Sequence, residues 1–181
     1  MGIALVAAYA CACSTSNSIH EHTSFSKADS LTDAYLVLND SVLQSWNRIV
    51  GSEMDKERTL QEIIQDLDNA NLLSDEIRES FQVRIEQLEK IRFTQENIED
   101  KQIVEDYDLA VQSLIDDIAN IAKSDDKTMF IYLQENSFVN RMSYDSLART
   151  FNEFVQRNHA TLKDMTTSSE LEAKPLFVKI K

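Results

Sequence analysis

The chain has 181 residues, a formal charge of −13 and a pI near 4.6. So acidic a surface lacks the basic footprint that nucleic acids and anionic lipid headgroups require, and no nucleic-acid partner is expected. Two glycines and one proline leave few turns, so the elements must be long. The two cysteines, Cys11 and Cys13, sit together at one end. The body therefore has no disulfide framework and stands on packing alone.

Residues 3–13, IALVAAYACAC, form an apolar run of small residues that is too short to cross a bilayer, which takes about 20 apolar residues. A polar stretch, STSNSIHEHTSFSK, follows directly. The pattern fits an export signal ending in a cysteine that becomes lipidated, followed by a tether. Cys13 is the better lipidation candidate, because Ala12 precedes it and a serine-rich run follows; Cys11 is the less favoured one. No Lys or Arg precedes Lys27, so the usual basic start is missing. Cleavage with release, or an ordinary buried N-terminal segment, are the alternatives. Val6 stands where myristoylation wants Ser or Thr.

From Leu31 the apolar positions recur at threes and fours, through Tyr35, Leu38, Val42, Trp46 and Ile49, then Leu60, Ile63, Ile64 and Leu67. This predicts a helix from 31 to 71, capped by Ser30 with Asp33 and open to a bend or break at Gly51. Ser74-Asp75-Glu76 reads as a cap and acidic first turn, opening a stripe through Ile77, Phe81, Ile85, Leu88 and Ile91. A third stripe takes in Ile103, Tyr107, Ala110, Leu114, Ile118 and Ile121, and a fourth Phe130, Leu133, Tyr144, Leu147, Phe151, Phe154 and Val155. The expected fold class is all-α, an antiparallel up-and-down bundle of about four long helices. Its organisation is a signal-like segment at 1–13, a polar tether at 14–29, the bundle at 30–165, and a tail at 166–181 packing on it. In that tail Leu176, Phe177, Val178 and Ile180, after Pro175, are expected to lie extended.

No catalytic site, cofactor site or metal site is expected. His20 and His22 lie in the tether without a further ligand, and His159 completes no Glu-x-x-His spacing. There is no nucleophile elbow, and one body glycine cannot build a phosphate loop. Carboxylate pairs such as Glu62 and Asp66, and charged runs such as Asp116-Asp117 and Glu86-Glu89-Lys90, are read as solvated faces. The aromatic residues Phe130, Tyr132, Phe138, Tyr144, Phe151 and Phe154, and Trp46, are assigned to the core, with a protein-docking face as the alternative.

The run from Glu135 to Asp145, containing Asn140-Arg141 and Tyr144, continues to Phe151-Asn152-Glu153-Phe154-Val155 and resembles the last-helix signature of the LemA family. Ala173-Lys174-Pro175-Leu176-Phe177 is similar to that family's closing segment, and the stretch from Asn39 through Trp46 to Arg58, Leu60 and Ile63 to its first helix. The resemblance covers the two ends of the chain. Where the family carries a proline-containing segment, this chain has Arg58-Thr59-Leu60-Gln61-Glu62-Ile63-Ile64. It implies a divergent, lipoprotein-like member: a bacterial envelope protein, anchored at its N-terminus, with an extracytoplasmic helical domain and no established enzymatic activity. The functional expectation is an interaction or scaffold module for other envelope proteins, with oligomerisation open. The alternatives are a small-molecule or metal-binding envelope protein, for which a deep pocket of convergent ionisable residues would speak, and a soluble cytoplasmic coiled-coil protein.

Overall fold

In the computed structural model, residues 27–123, 128–165 and 174–177 are described. The signal-like segment, both cysteines, His20 and His22, and the tail residues Val178 and Ile180 lie outside them. Four helices follow one another: α1 (Lys27–Asn69), α2 (Asp75–Ile91), α3 (Lys101–Ala122) and α4 (Thr128–Met165). No strand occurs among the described residues, as the all-α expectation requires. The four run antiparallel in turn. Asp68 meets Arg78 across α1 and α2, Arg84 meets Asp117 across α2 and α3, and Trp46 meets Tyr144 across α1 and α4.

The helices are unequal. α1 has 43 residues and α4 has 38, whereas α2 and α3 have 17 and 22. At about 1.5 Å per residue, α1 is roughly 65 Å long, more than twice α2. The two long helices pack on each other, and the α2–α3 hairpin covers part of them. Core residues come from every element: Val42, Ile49 and Leu60 of α1, Phe81 and Ile85 of α2, Leu114 and Ile118 of α3, Tyr144 and Phe151 of α4. The α2–α3 loop adds Phe93 and Ile98, and the tail adds Phe177.

Local chemistry explains the ends. Asn71 adopts a left-handed conformation with φ 55°, and Leu72 N–H reaches the Leu67 carbonyl at 3.0 Å, a Schellman-type stop for α1. Ser74 accepts from Ile77 N–H and caps α2, as expected. Asp100 accepts from Gln102 and Ile103 N–H and caps α3.

Four details correct the sequence reading. α1 begins at Lys27, inside the expected tether, so Ser30 is a helical residue and not the cap. The helix continues through Gly51, because one glycine costs less than the packing on either side of it gains. Trp46 packs against the core as assigned but is only half-buried, edge-on to Tyr144 at 5.7 Å. Tyr132 is 62% exposed and leaves the aromatic set assigned to the core, since its position on α4 turns it away from α1.

Candidate functional site

The apolar stripe of α1 is interrupted between Ile49 and Leu60, where helical spacing carries the inward face through Ser52, Glu53 and Lys56. These side chains are not solvated. Glu53 is fully buried, and Lys56 is 2% exposed. Such charges are tolerated inside only when paired and hydrogen-bonded, and here they are. Lys56 Nζ donates to Glu53 Oε2 at 2.6 Å and to Ser137 Oγ of α4 at 3.2 Å, and lies 5.5 Å from the Tyr107 ring centre. Ser137 in turn donates to Glu53 Oε1, and Tyr107 of α3 donates to Glu53 Oε2 at 3.0 Å. One carboxylate thus ties three helices together.

The network extends through Glu57, buried beside Glu53. Arg92, at the end of α2, donates to Glu57 Oε2 at 2.7 Å. On the α4 side, Arg141 is 4% exposed and grips Asp108 of α3 with both terminal nitrogens, each at 2.9 Å. Its guanidinium lies over two rings, 5.5 Å from the centre of Phe93 and 5.1 Å from that of Phe177. Glu53, Glu57 and Asp108 are each paired with a cation, Lys56, Arg92 and Arg141 respectively, so no charge of this network is left without a counter-charge. Arg92 Nε and Arg141 Nε are buried without a hydrogen-bond partner.

The surroundings set the titration of these groups. Burial alone pushes the Glu53 carboxyl up, but the Lys56 ammonium, the Ser137 hydroxyl and Arg141 outweigh it and hold it below the usual carboxylate range. For Glu57 burial wins over Arg92, aided by the nearby Glu89 and Glu53 charges, and its carboxyl is raised. Burial and the Glu53 and Glu57 carboxylates push the Tyr107 phenol up, so it stays a donor.

Beside this network the bundle is open. α3 and α4 are bridged by the Arg141–Asp108 pair and by Gln134 donating to Gln112 at 2.5 Å, and between them lies a groove of about 430 Å³. Lys56 forms its floor; Leu109, Val111 and Phe138 supply apolar walls, and Glu105 and Asp108 supply carboxylates. Leu109 is 66% exposed, and Ile131 and Met142 stand exposed nearby on α4.

The tail reaches the same region. Asn152 of α4 binds the Lys174 backbone through both ends of its amide, the Lys174 ammonium lies 5.4 Å from the Phe151 ring, and Phe177 is buried on Arg141.

Cys13 and Cys11, the residues expected to carry a lipid, lie outside the described residues. His159 is exposed on α4, and no cluster of three or more metal-ligating side chains is found among the described residues. No described helix is long and apolar enough to cross a membrane. Glu62, Asp66, Glu86, Glu89, Lys90 and Asp117 are exposed, as solvated faces should be, and Asp116 is half-buried. The sequence reading missed the Glu53–Lys56–Glu57 group. Its one signal is the phase of the α1 stripe, which these residues continue. The chain matches no protein-family model, no curated protein and no solved structure.

Proposed function

We propose that this chain is a non-enzymatic interaction module of a bacterial envelope, tethered through Cys13 or, less favourably, Cys11, and reading a partner in the α3–α4 groove. The observation that carries the reading is the groove itself. It exposes Leu109 and Phe138 beside the Glu105 and Asp108 carboxylates, a lining suited to an apolar and basic protein segment. The buried ionisable groups, by contrast, are engaged with one another. Ser137 donates a hydrogen bond to Glu53 but is itself buried, and Lys56 is held by that same carboxylate, so neither is presented to a substrate as a free nucleophile or base.

The envelope address is supported by the apolar run 3–13 ending in Cys13. Divergent membership of the LemA family is supported by the way its look-alike stretches meet: Asn152 binds Lys174, and Arg141 stacks on Phe177. A second reading, a small-molecule site, rests on the convergence of Lys56, Glu105, Asp108 and Arg141 on a groove whose volume suits such ligands. It is the weaker reading, because Lys56 and Arg141 already have carboxylate partners.

A photo-reactive amino acid placed at Leu109 in the full chain, expressed in a bacterium, tests the module. Cross-links to an envelope protein are expected at Leu109, absent from the same label at Val83 on α2, and weakened by Glu105→Lys. Equal labelling at both positions would overturn the groove reading. Intact mass of chain taken from the membrane fraction tests the tether: a mass starting at Met1 without lipid favours the soluble alternative.

A further inference from the structure

The face of α1 that α2 covers does not stop where α2 stops. Leu36, Leu43, Val50, Met54, Gln61 and Asp68 follow one another at steps of seven or four residues, so they share one face of the helix. Toward the C-terminal end of α1 this face belongs to α2. Gln61 and Asp68 line a cleft with Arg78, Gln82 and Ile85, and Arg78 pairs with Asp68 at 3.1 Å. Arg92, just past the end of α2, meets Glu57. Beyond that level the face turns apolar: Met54, Leu43 and Leu36 are each about half exposed, and Val50 is half-buried. We propose that this seam, from Leu36 to Met54, is where a second copy of the chain docks, laying its own α1 antiparallel along it.

Continuity, direction and charge select the occupant. A helix already covers this face further along, and the uncovered part runs for about 27 Å at about 1.5 Å per residue. The chain carries a helix with the matching apolar seam, α1 itself, so two copies bury identical surfaces on each other around a two-fold axis. A parallel copy is excluded, since its α1 would continue past Met54 into the space that α2 fills. Antiparallel pairing with Leu43 on the axis sets Leu36 against Val50 of the second copy. It also brings the start of that copy's α1 only to the level of Glu57, where α2 ends. Charge agrees with this direction. Asp40 flanks the seam and would face its own counterpart in a parallel pair; in the antiparallel one it comes beside Asn47 of the second copy, whose amide donates to it. A seam of this length is small for an interface, so the dimer is reversible, with a dissociation constant of about 10 to 100 μM.

The seam shares no residue with the α3–α4 groove, so the dimer goes beyond the partner reading and stands or falls apart from it. In the purified full chain with Cys11→Ser and Cys13→Ser, sedimentation equilibrium is expected to show monomer and dimer in exchange. Leu43→Glu should weaken the dimer roughly tenfold or more, with helicity by circular dichroism unchanged because Leu43 is exposed. Single cysteines added to the same background read the geometry. Leu43→Cys is expected to form a disulfide-linked dimer roughly tenfold faster than Val37→Cys, which is exposed on the same helix but turned away from the seam. Leu36→Cys should couple with Val50→Cys and not with itself. A chain that stays monomeric at millimolar concentration would overturn the dimer, and so would equal rates at 43 and 37. Leu36→Cys coupling with itself would overturn the antiparallel docking. A purified monomer whose Leu43→Cys form couples to a different protein in cell extract assigns the seam to that protein, and also overturns the proposal.

Discussion

Asn152 holds Lys174 at both polar ends of its backbone: the side-chain Nδ2 donates to the Lys174 carbonyl at 3.0 Å, and Oδ1 accepts from the Lys174 N–H at 2.7 Å. Residues 174–177, which carry no secondary structure, thereby gain the pairing that a neighbouring strand would give them. Asn152→Ala removes both bonds. Hydrogen exchange at the Lys174 amide is expected to lose its protection, and stability to fall by about 1 to 2 kcal/mol. Unchanged exchange there would mean that burial of Phe177 alone fixes the segment.

The Glu53–Lys56 pair is costly to split and less costly to remove. Lys56→Met leaves a buried carboxylate without its cation and is expected to lose about 3 to 5 kcal/mol in urea unfolding. Glu53→Leu alone strands the ammonium beside Ser137 and Tyr107. The double variant should cost less than the sum of the singles by about 2 kcal/mol or more, because no lone charge remains inside. Additive losses would show that the two side chains act independently.

Stability should pass through a maximum in mildly acidic solution. Glu57 is raised above its ordinary value of 4.5, so its charged form costs stability that is recovered as pH falls through its folded pKa. Glu53 is lowered, so its contribution is complete above 4.5 and is lost as pH falls further, through its folded value. Urea midpoints measured against pH check both limbs. Glu57→Gln is expected to flatten the limb toward neutral pH while leaving the acid limb in place.

Gly51 lies inside α1 with nothing within 4 Å of where a Cβ would stand. Gly51→Ala should therefore stabilise the chain by about 0.5 to 1 kcal/mol, by restricting the unfolded backbone without a clash. A lower denaturation midpoint in this variant would reveal a bend that alanine resists.

Much of this was legible in advance. The stripes at Phe81, Ile85 and Leu88, and at Tyr107, Leu114 and Ile118, are buried as periodicity requires, and Ser74 caps as its chemistry suggests. The flanks of a stripe read less well: Ile77 and Ile91 continue the α2 pattern but are exposed, because a short helix has no neighbour at its ends. The polar centre was not read at all. A charged run such as Glu53 to Arg58 has the composition of a solvated face, and only its phase relative to Ile49 and Leu60 says otherwise.

The sequence by itself determined the order of the four described helices and the apolar centre of each inward face, because helical periodicity and scarce glycine and proline are local properties. Only the tertiary structure decided that Glu53 and Lys56 are interior and that α3 and α4 stay parted. Burial of a charge depends on what other helices bring to it, and Tyr107 and Ser137 reach Glu53 from 54 and 84 residues away. A stripe specifies that a face is covered. What covers it, and where cover is lacking, is settled by the lengths and positions of its neighbours.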